Sequence, residues 1–142
     1  MIVLDTNVIS ELAKPTPSSV VVAWLDAQDG LAIAAPALAE LRFGIARLPD
    51  GERRTTLNEA IDGLVADDLD GLVLAFDRAS ADAYGLIAAA RERAGRPIGI
   101  ADAQIAAICL VRNAVLATRN VRDFLDTGIE IIDPWDPPDT DE

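Results

Sequence analysis

The stretch Ile2-Val3-Leu4-Asp5-Thr6-Asn7 decides how the rest of the chain is read. Three consecutive apolar residues predict a strand buried on both faces, the kind found in parallel sheets covered by helices. The triplet that ends it suits a helix start, because Asp, Thr and Asn side chains accept hydrogen bonds from the free amides of a first turn. Taken alone, the triplet reads as a cap. It also stands at the carboxyl end of a strand, where open α/β sheets bind their ligands, so a functional reading stays open at Asp5.

Outward from this strand, short apolar runs alternate with longer helical patterns, the signature of an α/β domain with a mainly parallel sheet. Strands are expected at about residues 2–4, 31–35, 72–75, 114–117 and 129–132. One helix runs over about 7–13 and stops before Pro15, and another starts at the caps Ser18-Ser19 with Val22 and Leu25 inward. Pro36 opens a third, whose stripe Leu38, Leu41, Ile45 and Leu48 is ended by Pro49. A fourth covers about 51–66. Asp77 caps an alanine-rich helix that ends at Gly95, and Ile100 to Val111 is apolar almost all round and expected to be central and buried.

The 142 residues, 51% of them apolar, suffice for one domain with a real core. We expect that domain over residues 1–135, with the acidic, proline-bearing 136–142 as a flexible tail. No apolar run approaches the roughly eighteen residues of a membrane span, and the first strand has no basic flank, so a cytoplasmic protein is expected. The single cysteine, Cys109, permits no intrachain disulfide. With no histidine, a Ser-His-Asp triad, a Cys-His pair and a His-ligated zinc are all excluded. A net charge of −12 disfavours phosphate binding through the overall surface, yet eleven of the twelve basic residues are arginine, suited to bidentate phosphate contacts.

Catalysis must then lean on carboxylates. Asp102 precedes Ile105, Ala106 and Cys109 by three, four and seven residues, which sets its carboxylate over the apolar face of its helix. Stabilisation by the helix dipole is one account of it; a bound partner entering beside Pro97 and Gly99 is the other. Glu40 lies one turn into the helix that follows the second strand, in the same layer as Asp5. Three carboxylates brought together repel one another unless a cation or protons offset them. With oxygen ligands only, the ion expected is Mg²⁺ or Mn²⁺, which polarises phosphoryl oxygens and activates water. A fourth element, Thr118-Arg119-Asn120-Val121-Arg122-Asp123-Phe124, follows the strand at 114–117. Asn120 and Asp123 are spaced as a capping-box variant. Alternatively Thr118 or Asn120 positions a water or phosphate, Asp123 completes the acidic cluster, and Arg119 or Arg122 touches the phosphodiester backbone of a substrate.

Together these four motifs, in this order from Met1 to Pro134-Trp135, resemble the PIN domain, and more narrowly the VapC/FitB branch of type II toxin–antitoxin ribonucleases. The resemblance implies a three-layer α/β sandwich and a Mg²⁺- or Mn²⁺-dependent endoribonuclease, a hydrolase of RNA phosphodiester bonds. Asp5, Glu40 and Asp102 match the family's metal-binding carboxylates, with Thr6 and Asn7 shaping the turn that aims Asp5. Many relatives carry Asp two residues after the motif threonine; here that position is Asn120, and Asp123 is the remaining candidate for a fourth acid. Relatives form dimers and are inhibited by a cognate antitoxin, a small DNA-binding protein whose tail crosses the acidic site and which assembles on operator DNA. The small residues of the helix at 77–94 suit a dimer surface, though core packing explains them equally.

Other classes fail on residues. A haloacid-dehalogenase phosphatase needs Asp where Asn7 stands; a receiver needs a paired acid and a late lysine, and the only lysine is Lys14. No glycine-rich fingerprint follows the first strand, against a dinucleotide fold. The alternative that stays open is a catalytically weak or inactive PIN-like protein-binding module, its carboxylates kept for structure or for a partner's arginine.

Overall fold

Ile2–Leu4 (β1), buried at all three positions, lies in the middle of the sheet, as an uninterrupted apolar strand must. The computed structural model describes residues 1–139. In it β1 is flanked by Leu31–Ala34 (β2) and Val115–Ala117 (β4), with the two-residue strands Val73–Leu74 (β3) and Ile131–Ile132 (β5) at the edges. The order is β3-β2-β1-β4-β5 and every pairing is parallel. Such short edges leave little unpaired backbone for a stray strand to join.

Each parallel step needs a crossover. Thr6–Leu12 (α1) and Ser19–Asp26 (α2) join β1 to β2; Ala35–Ala46 (α3) and Glu52–Gly63 (α4) join β2 to β3. Arg78–Arg93 (α5) and Ile100–Val111 (α6) carry the chain back past β1 to β4 on its other side. The direction of winding therefore reverses between β1 and β4, the position at which parallel sheets open a ligand crevice. Register completes the arrangement: Leu4 pairs with Ala117, and the Asp5 amide donates to the Ala117 carbonyl at 3.0 Å, so Asp5 and Thr118 leave the sheet side by side.

Local signals account for most of the helix ends. Ser18 caps α2, Asp77 accepts from the Ser80 amide at 3.0 Å and its hydroxyl at 2.8 Å, and Gly95 follows α5 with φ +75°. Three expectations are corrected. The third helix ends at Ala46, short of Leu48 and Pro49. The fourth ends at Gly63 and continues as a π turn over Leu64–Asp68, whose wider spacing buries both Leu64 and Leu69. The last helix is buried only at Ala103 and from Ile105 to Cys109; Ile100 is 69% exposed and Leu110 and Val111 also emerge. A twelve-residue helix is about 18 Å long and a three-residue strand about 10 Å, so its ends outrun the sheet.

Pro134 is buried and Trp135 packs on the core, and the expected tail at 136–142 lies partly outside the described residues. Among the described residues no helix is long and apolar enough to cross a membrane. Replacing Asp77 with Ala removes the cap of α5 and should lower stability, read as an earlier urea midpoint with an unchanged slope.

Candidate active site

Asp5 is both cap and site residue. It is 3% exposed; Oδ1 accepts from the Thr6 amide at 2.8 Å, while Oδ2 accepts from the Thr118 hydroxyl at 2.7 Å and the Asn7 amide nitrogen at 3.3 Å. A carboxylate offers about four acceptor positions, so three bonds leave it aimed and still able to take a cation. Thr118, fully buried, has no freedom in this network. Its oxygen accepts from Asn7 Nδ2 at 3.2 Å and from the Asn120 amide at 3.0 Å. With both lone pairs engaged, its proton is left for Asp5.

Asn7 closes the bracket by accepting from the Arg119 amide at 3.2 Å through Oδ1. Its function is thus tertiary, tying the α1 start to the loop after β4. The capping box expected at Asn120 and Asp123 does not form, because Asn120 makes no side-chain cap bond to the short 3₁₀ turn Val121–Phe124. Thr118 already occupies the Asn120 amide, and the turn is held instead by the Asp123 amide on the Asn120 carbonyl at 3.1 Å.

The other carboxylates reach the same end of the sheet from separate elements. Asp102 is half-buried in the first turn of α6, where Gly99 at the cap position supplies no side chain. Burial, then the charges of Asp5, Asp123 and Glu40, push its pKa up to about 6. Glu40 is raised as well, by partial desolvation and then by Asp5. None of the four is ion-paired among the described residues. Nor do any three acidic or cysteine side chains there form a ready-made metal cage. An all-oxygen donor set of this kind fits a hard divalent ion.

The predicted basic contacts divide. The Arg119 guanidinium lies over the Trp135 ring, 4.8 Å from its centroid, so it is engaged with the chain's own C-terminal segment; Arg122 is exposed. Cys109 is buried, its thiol pushed up to about 12, and plays no part. Sequence reasoning missed Arg91, a buried arginine next to this cluster, whose charge works against the raised pKa of Asp102. From Glu40 and Thr6 an apolar groove of about 660 Å³ runs between α1, α3 and α4, lined by Ala13, Leu41, Ile45, Leu48, Leu57 and Ile61.

Similarity to known proteins supplies the family. The PIN domain model matches residues 2–130. The VapC ribonuclease Y4jK of Sinorhizobium fredii is 45% identical over 139 residues, which cover 96% of this chain and 99% of that one. Toxin FitB of Neisseria gonorrhoeae is 36% identical over 137 residues, covering 95% and 99%. A structure of FitAB bound to an IR36 DNA fragment superposes with a TM-score of 0.88 at 34% identity, over 99% of this chain and 100% of that one. The chain belongs to the PIN-domain family, on its VapC/FitB branch.

Two outcomes are expected of the site. Thr118→Val removes the donor to Asp5 while keeping the shape, and should weaken Mn²⁺ binding by about 10- to 100-fold in calorimetry without unfolding the protein. The second concerns pH. The folded protein holds the Asp102 proton more tightly than the unfolded chain, so this contribution to stability is full at acid pH and is lost as pH rises from the ordinary carboxylate range through about 6. In chelator, the melting temperature of the parent minus that of Asp102→Asn should fall across that window; a flat difference would contradict the assignment.

Proposed function

We propose that this protein is a divalent-metal-dependent endoribonuclease acting as the toxin of a toxin–antitoxin pair. What supports the reading is the mutual electrostatic influence of Asp5, Glu40, Asp102 and Asp123, none of them ion-paired among the described residues, in a member of the PIN-domain family. Asp5 and Asp102 would hold Mg²⁺, or Mn²⁺ in its place, with Glu40 and Asp123 completing or supporting the set. When bound, such an ion supplies Lewis acidity toward a phosphodiester and lowers the pKa of water at the site.

The chain's own residues do the rest. Thr118 and Asn7 keep Asp5 in one orientation, so that no conformational search precedes metal capture. Glu40, exposed and with a raised pKa, stands at the mouth of the site where it can accept a proton from an attacking water. Asn120 and the exposed Arg122 border the position of the RNA backbone, where an arginine offsets phosphate charge.

The relatives support the biological side: one is named a ribonuclease, another a toxin, and the FitAB neighbour is bound to DNA. By that likeness this chain would work in the cytoplasm as a homodimer and assemble with a DNA-binding antitoxin on operator DNA. The groove beside Glu40 offers the antitoxin a seat, since an apolar segment ending in Arg or Lys would fill its walls and place the cation among the carboxylates.

Purified protein, freed of any antitoxin, should cleave RNA with Mg²⁺ or Mn²⁺ and stop on addition of chelator. Asp5→Asn and Asp102→Asn should each cost more than the roughly 100-fold of an outer-shell loss. Cleavage that survives both substitutions would sink the reading. Mn²⁺ binding as tight in Asp5→Asn as in the parent would show that the ligand set is wrong.

A further inference from the structure

Arg91 is buried, with 6% of its surface exposed, on the last third of α5. Two of its three nitrogens donate to main-chain carbonyls of other segments. Nε donates to the Arg96 carbonyl at 2.7 Å, and one terminal nitrogen donates to the carbonyls of Asp123 at 2.9 Å and Leu125 at 2.8 Å. The first acceptor lies in the loop that leads into α6 and so to Asp102. The other two close the turn that carries Asp123. Arg96 adds a second tie between the same segments through its ion pair with Asp126.

We propose that Arg91 is a positioning residue for the acidic site, fixing the Asp123 turn against the start of α6 and thereby the placement of Asp123 relative to Asp102. A guanidinium suits the task because its donors diverge in one rigid plane and can span carbonyls on two segments; an ammonium presents its donors from a single point. The charge itself needs a reason, since burying a cation is costly and a neutral amide could tie a plain loop. Among the described residues Arg91 has no ion-pair partner, and the groups facing it are the carbonyls named above and the field of the carboxylate cluster. It therefore offsets, from behind, part of the repulsion that would drive Asp123 and Asp102 apart. For its effect on metal binding this rests on the nuclease reading; for its geometry it does not.

The test uses Arg91→Met, which keeps length and loses the donors and charge, Arg91→Lys, which keeps the charge, and Asp123→Asn. Arg91→Met should speed amide hydrogen exchange in residues 121–126 while β1 and β4 keep the parent's rates. It should also weaken Mn²⁺ binding by about tenfold, the lower end for outer-shell partners, with Arg91→Lys intermediate in both. In an Asp123→Asn background, Arg91→Met should weaken Mn²⁺ binding no further, because its effect runs through Asp123. Parent-like exchange in the turn, or Mn²⁺ losses that add in full in the double variant, would overturn the proposal. Should Arg91→Met fail to fold, the same comparisons on Arg91→Lys decide it. A parent protein that binds no Mn²⁺ counts against the nuclease reading alone, and the exchange rates then decide the role of Arg91.

Discussion

The hydrogen bond from the Thr118 hydroxyl to Asp5 depends on parallel register, and the site depends on that bond. Leu4 pairs with Ala117, so the first residue beyond each strand emerges at the same level. A slip of one residue between β1 and β4 would turn Thr118 to the opposite side and leave Asp5 buried without its donor. The run Ile2–Leu4 resists such a slip because its three side chains are fully packed in the core. Precision at the site is thus inherited from hydrophobic packing in the layer beneath it.

Gathering carboxylates opposes folding, and the molecule tolerates it by unequal treatment. Asp5 is buried and satisfied by three donors; Asp102 is half-buried and raised; Glu40 and Asp123 are exposed. Only the acid with designated donors is taken fully out of water, consistent with the high cost of burying an unpartnered charge. The two basic groups nearest the cluster by sequence are not its partners, since Arg119 lies over Trp135 and Arg122 is exposed. The cation that does face it comes from α5, behind the turn.

Legibility in the sequence followed the strength of the local signal. β1 was readable to the residue because three apolar side chains meet a polar triplet, and Asp77 and Ser18 were readable as caps because side-chain capping is a short-range interaction. The π turn at Leu64–Asp68 and the exposed ends of α6 were not, because the first is set by the tertiary burial of Leu64 and Leu69 and the second by the length of the sheet beneath. Asp5, Glu40 and Asp102 were each ambiguous alone, since a cap, a solvated helix position and a dipole-stabilised carboxylate have the same local appearance as a site. Arg91 was invisible: it stands in Ala-Arg-Glu-Arg at a helix end, where the usual arginine is solvated.

By itself the sequence determined the α/β class, the parallel sheet and the restriction of catalysis to carboxylates, because periodicity, strand length and the lack of histidine are properties of the chain. Tertiary structure decided that Asn7 bridges two segments, that Thr118 has one direction left for its proton, and that Asn120 caps nothing. The first two outcomes need a partner more than a hundred residues away along the chain, as in the 113-residue separation of Asp5 and Thr118. Hydrogen-bond direction is fixed only when such partners meet, and no local pattern carries that information.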